Sequence, residues 1–183
     1  MFKYSFLIIL LTFQFGFSQE WLDQNCSVEA QVHAEDISNA SERNLLKMII
    51  NQEGKLMVND KDLSILNDTK LKEYLYAFIV NPDESEQWSK SPKKAYISLK
   101  HYNHAEEFER VEQNIREVYY FLWNTYAQEK YEDDYVNLDC KKRAKVQKQY
   151  PYHIYLPKKS KKEDKDKPQF SGPPPFEADV IDN

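Results

Sequence analysis

Three glycines, Gly16, Gly54 and Gly172, serve the whole 183-residue chain. With one glycine between Ser18 and Ser171, no phosphate-binding loop, dinucleotide fingerprint or nucleophile elbow can be written. Cysteine is scarcer still. Cys26 and Cys140 stand far apart and form no CxxC metal pattern. Positive charge is not in excess: the formal net charge is −5, which leaves no electrostatic footprint for nucleic acid. Long apolar runs are missing beyond the first eighteen residues, and the mean hydropathy is −0.79. No later segment therefore approaches the about 20 apolar residues that a membrane-spanning helix requires.

The one apolar run opens the chain. Lys3 precedes FLIILLTFQFGFS, which has the basic start, short apolar core and small residues of a secretory leader. Residues 1–18 read as a signal peptide cut near Ser18/Gln19, because extending the run far enough to span would take in Gln19 and Glu20. A short uncleaved anchor is the alternative, and the only route by which this chain would associate with a membrane. Export to the periplasm or cell envelope follows, with attachment to the inner membrane in the anchored case. In such an oxidising compartment Cys26 and Cys140 are a candidate disulfide. Two unpaired thiols remain the other reading, since spacing supplies no distance.

Composition divides the rest. Residues 19–43 are an N-terminal extension, 44–157 one domain with its own core, and 158–183 a charged, proline-rich tail that reads as disordered. Within the tail, Pro173 to Pro175 favour a polyproline conformation and form a candidate recognition motif. In the domain, Leu46, Met48 and Ile50 alternate, Gln52-Glu53-Gly54 turns, and Leu56 and Val58 return, which predicts a hairpin. Asn67 or Asp68 caps a helix whose stripe is Leu71, Leu75, Phe78 and Ile79, ended by Asn81-Pro82. A polar loop, a strand over Lys94 to His101, and a long helix capped by Asn103 follow. That helix carries the stripe Phe108, Val111, Ile115, Val118, Leu122 and Tyr126. A short basic helix ends at Pro151, and Tyr152 to Pro157 reads as a last short strand. The expected fold is α+β: a small mixed sheet of β-hairpin, strand and short C-terminal strand, with helices packed on one face.

Chemistry is harder to find. His101-Tyr-Asn-His104, followed by Glu106 and Glu107, is the best metal candidate, but it straddles a strand-to-helix junction and reads better as a polar loop. Cys140 and His153 could pair as thiol and base, yet no third orienting group accompanies them. Lys141 to Lys148 reads as a solvated basic face rather than a polyanion site, given Glu132 to Asp134 just before it. Asn25, Asn39 and Asn67 head glycosylation triplets that matter only in a eukaryotic source. No catalytic residue, cofactor site or metal site is assigned, and an enzyme is not expected. The aromatic density of the long helix is different. Tyr119, Tyr120 and Trp123 make a candidate aromatic interface, the alternative being that they pack beneath the loop holding Trp88.

The run MIINQEGKLMVNDKDLS, then LKEYLYAFIVNP, then KKAYISLKHYNHAEEFERVEQNIREVYYFLWNTYAQEKYEDDY, resembles the outer domain of the ExbD/TolR biopolymer-transport family, in its longer Bacteroidetes-type form. The likeness extends from about Asn44 to Leu156 and includes Gln149-Tyr-Pro-Tyr-His-Ile near its end. It implies a periplasmic domain of an energy-transducing transport system, dimeric or engaging ExbB-like or TonB-like protein partners. One departure is large. No Asp or Glu lies between Met1 and Gln19, so the family's proton-carrying transmembrane carboxylate has no counterpart. The expectation is a non-catalytic, partner-binding accessory, with Tyr152, His153, Ile154, Tyr155 and Leu156 as the partner-binding strand. A stand-alone secreted or periplasmic binding module sharing only the fold is the alternative.

Overall fold

Leu46, Met48 and Ile50 are fully buried in the computed structural model, on one face of strand β1 (Leu45–Ile50). The structure describes Cys26 and residues 32–157; the signal-peptide and tail readings fall outside these. The extension before β1, for which the sequence predicts no element, contains the short helix α1 (Ala34–Asn39) and a 3-10 turn over Glu42–Asn44.

β2 (Leu56–Val58) returns antiparallel to β1, with Met48 opposite Val58 and Ile50 opposite Leu56. The turn between them is built by Asn51, whose Oδ1 accepts from the N–H groups of Glu53 and Lys55, each at 2.9 Å. Gly54 sits at φ +78, in the left-handed region. A Cβ there would also lie 3.2 Å from the His104 imidazole. The turn thus needs glycine twice over, for its backbone and for close packing. Asn59 and Asp60, at φ 45 and 65, then turn the chain into β3 (Lys61–Asp62), which pairs antiparallel with β2. Two consecutive positive-φ residues are the mark of a tight hairpin turn. β3 is too short to carry any hydrophobic alternation, so no sequence pattern marks it.

α2 (Asp68–Val80) begins where expected, the Asn67 side chain accepting from the Lys70 N–H, and ends at Asn81 in the left-handed conformation. Its four stripe residues are all buried. The polar loop that follows is tied down. Asn81 Nδ2 donates to the carbonyls of Ser85 and Ser89, and the Arg43 guanidinium donates to those of Ser85 and Trp88. Trp88 itself packs edge-on against Tyr74 of α2.

β4 (Tyr96–His101) lies parallel to β1, from Leu45 beside Tyr96 to Ile50 beside His101. α3 (Ala105–Tyr131) follows. His104 occupies its cap position; Asn103, the cap expected from sequence, instead takes φ 57 in the turn before it. Asp68 at the start of α2 meets Arg110 at 2.5 Å and Asn114 at 3.0 Å, fastening the two long helices together. The hydrogen bond from Arg110 holds the Asp68 carboxyl below its ordinary pKa. α4 (Cys140–Gln149), capped by Asp139, leads to β5 (Ile154–Tyr155), parallel to β4. The strand order is β3-β2-β1-β4-β5, a mixed five-stranded sheet. Ile97 and Leu99 of β4 join Leu46, Met48, Ile50, Leu56 and Val58 on the buried face, and the stripes of α2 and α3 pack into the same core. The architecture is α+β.

Candidate partner-binding edge

The segment after α4 is positioned from behind by the long helix. Trp123 Nε1 donates to the Tyr150 carbonyl at 2.7 Å. The rings of Tyr119 and Trp123 stand 4.9 and 6.1 Å from that of Tyr152, and Trp123 also packs 5.1 Å from Tyr135. Tyr119 and Trp123 are both 0% exposed. This corrects the aromatic interface expected from the sequence: these two are core residues and Tyr120 is half-buried. The reason is that α3 is covered on more than one side. Its stripe meets the sheet and α2, while the neighbouring face meets the chain from Tyr135 to Tyr152. A second ring of neighbours widens the buried arc of a helix beyond a single stripe. The aromatic left outside is Phe121, 57% exposed.

The five-residue strand Tyr152 to Leu156 divides in the same way. Burial pushes the Tyr152 phenol up to about 12, against a smaller lowering effect of Arg116. His153 stacks on Tyr96 with ring centroids 4.5 Å apart and planes 8° from parallel. Burial lowers its pKa, a backbone hydrogen bond at Ala95 working the other way. Both side chains are therefore held by the domain itself. Ladder geometry identifies what remains. The His153 carbonyl accepts from the Ile97 N–H at 2.9 Å, and Ile97 is paired with Ile154. In a parallel ladder alternate residues point their backbone groups to opposite sides, so the N–H and C=O of Ile154 face away from β4. Among the described residues β5 has no other strand beside it, and Leu156, just past it, is 41% exposed.

The remaining candidates separate. Cys26 and Cys140 are joined in a disulfide, their Cα atoms 5.3 Å apart, so no Cys140 thiol is present for His153 to activate. His104 Nε2 lies 2.8 Å from the Gln52 carbonyl, while His101 packs against Phe108 at 4.5 Å. Glu107 is paired with Arg110. Among the described residues no three His, Cys, Asp or Glu side chains are placed to hold a metal ion. The basic run of α4 is not one continuous surface: Arg143 is buried, donating to the Val136 carbonyl, and Lys142 lies over the Tyr131 ring. Asn67 of the glycosylation triplets is the cap of α2, Asn39 is exposed at the end of α1, and Asn25 lies outside the described residues. No helix among the described residues is long and apolar enough to cross a membrane.

Compared with known proteins, the chain matches no protein-family model, no curated relative and no solved structure.

Proposed function

We propose that this chain is a non-catalytic module of the cell envelope that captures a partner chain, or a second copy of itself, by strand addition at β5. The role is the accessory one that the resemblance to the ExbD/TolR outer domain implies, with an ExbB-like or TonB-like protein as the expected class of partner. The observation that carries the reading is the outward-facing N–H and C=O of Ile154 on a terminal strand flanked by apolar residues. Unpaired backbone groups on a sheet edge are a template for another strand, and the alternate side chains add selectivity. In this reading the chain supplies binding, the family's proton-carrying carboxylate having no counterpart between Met1 and Gln19.

Ile154→Pro removes the outward donor and leaves the ladder bond from Ile97 to His153 in place, so the domain should fold. With one net hydrogen bond worth about 0.5–1.5 kcal/mol removed, capture should weaken by roughly two- to twelvefold. A photoreactive residue at Leu156, placed in the protein within its native envelope, should form one discrete adduct. The same residue at Lys61, on the opposite edge, should form none. Adduct yield undiminished by Ile154→Pro, or equal at the two edges, would overturn the proposal. Leu156→Lys is a second variant that blunts the edge by charge without touching the backbone.

A further inference from the structure

β5 is joined to the sheet through two paired residues, Ile154 beside Ile97 and Tyr155 beside Ser98. The residue before it carries much of the attachment. The His153 carbonyl accepts from the Ile97 N–H at 2.9 Å, and the His153 N–H donates back to the Pro151 carbonyl at 2.9 Å. Its ring lies flat on Tyr96. A ladder so short has little in reserve. If the imidazole leaves Tyr96, the ring stack and the adjoining ladder bond are placed at risk together.

The site suits a neutral imidazole. His153 Nδ1 is buried and makes no hydrogen bond among the described residues. A neutral ring tolerates one bare nitrogen, whereas the imidazolium carries an N–H on both. Protonation in place would leave a buried donor of a charged group without an acceptor, which costs more than an ordinary unmade bond. The groups facing the ring come from three elements. β4 supplies the Tyr96 ring and the backbone of Ala95, and α1 the Asp36 carboxylate. α3 supplies the Tyr119 phenol, which lies against the His153 backbone, while its Arg116 and Glu112 act on the neighbouring Tyr152. Ala95 and Asp36 favour a proton on His153, yet burial outweighs both. The ring gains its proton most readily by leaving the stack for water.

We infer that His153 is a proton-operated latch on β5: neutral, it holds the strand in the sheet with its outer edge presented, and protonated, it leaves Tyr96 and the edge is withdrawn. The inference rests on the reading of β5 as the capture edge and gives that edge its regulation. Because the open state binds the proton more readily, opening rises as pH falls below about 6.5, by at most about tenfold per pH unit for one proton. It levels off below the pKa of the latched ring.

Hydrogen exchange on the full chain without a partner reads the latch, as protection factors compared between about pH 7.5 and about pH 5. Protection of the Ile97 amide should fall several-fold more than that of the amides pairing β1 with β2. His153→Phe keeps a ring against Tyr96 and His153→Gln an uncharged polar side chain, and both should abolish this difference. Protection at Ile97 that is level with pH, that falls equally across the sheet, or that falls equally in the variants would overturn the inference. The photoreactive residue at Leu156 reads the consequence. Its adduct yield should drop over the same range in the wild type and stay level in either variant. A level yield in the wild type would overturn the latch and leave capture standing. No adduct at any pH would sink the capture reading alone, since exchange at Ile97 decides the latch by itself.

Discussion

The sheet ends in two strands of the same length and opposite character. β3 is Lys61 and Asp62, both exposed, reached through a tight turn of two positive-φ residues. β5 is Ile154 and Tyr155, in a stretch from Pro151 to Pro157 with no Lys, Arg, Asp or Glu. Charge and brevity are the usual means of making an edge unfit for pairing, and β3 uses both. β5 is equally brief but carries no charge. It is also the better braced of the two, because Trp123, Tyr119 and Tyr96 grip the residues just before it. An edge that is rigid behind and uncharged in front is suited to receiving a strand. An edge that is charged is suited to refusing one.

The brace is the first thing to remove. Trp123→Ala empties a fully buried site and takes away the bond to Tyr150, so it should destabilise the domain by about 3–5 kcal/mol. Thermal unfolding would measure this. Hydrogen exchange should show amides near β5 exposed more than those of β2 and β3, and uniform loss would mean that the two edges share one support.

A milder loosening should come from acid. The folded-state pKa of His153 is depressed below 6.5, so the unfolded chain binds the proton more readily. The His153 contribution is complete above the unfolded value of about 6.5, is lost as pH falls toward the folded-state pKa, and levels off below it. Urea midpoints measured across this range in the wild type and in His153→Phe should differ in slope, the variant lacking this step. Parallel curves would remove His153 from the account.

The smallest effect on stability should come from reversing the other edge. Lys61→Val with Asp62→Asn changes exposed residues and keeps a side-chain oxygen for the Ser64 N–H, so the cost should stay within about 0.5 kcal/mol, yet it strips β3 of its charges. Sedimentation should then show new association absent from the wild-type β3 edge. A variant that remains as monodisperse as the parent would show that brevity alone protects an edge, and would weaken the contrast drawn with β5.

Much of this frame was legible in local pattern. The alternation of Leu46, Met48 and Ile50 and the three-and-four spacing of Leu71, Leu75, Phe78 and Ile79 report burial directly, because the side-chain period belongs to the element. Gly54 was legible for a similar reason: in a glycine-poor chain a glycine marks a backbone need. The candidate site was less so. Tyr119 and Trp123 looked like surplus aromatic surface, since periodicity shows that a helix has an inner face but not how many neighbours enclose it. Tyr152 and His153 looked available because a six-residue apolar stretch reads as a strand throughout. The chain forms only two residues of ladder there and uses the rest as anchor. Asn103 is the more usual cap residue by type, yet backbone conformation places His104 there and Asn103 in the turn before it.

The order of amino acids by itself determined where the hairpin turns, where α2 and α3 run and which stripes they bury, since turn conformation and helix period are properties of neighbouring residues. It also determined the charge of β3 and the lack of charge around β5. Only the tertiary structure decided that β1 and β4 lie parallel at the centre, that β3 and β5 are the two edges, and that the aromatics of α3 point inward. It alone brought Cys26 to within 5.3 Å of Cys140, 114 residues away, closing a loop whose cross-link can stabilise by about 4–5 kcal/mol in the chain-entropy model. Such contacts join residues distant along the chain, and their distances follow from the packing of the whole core, which no local period encodes.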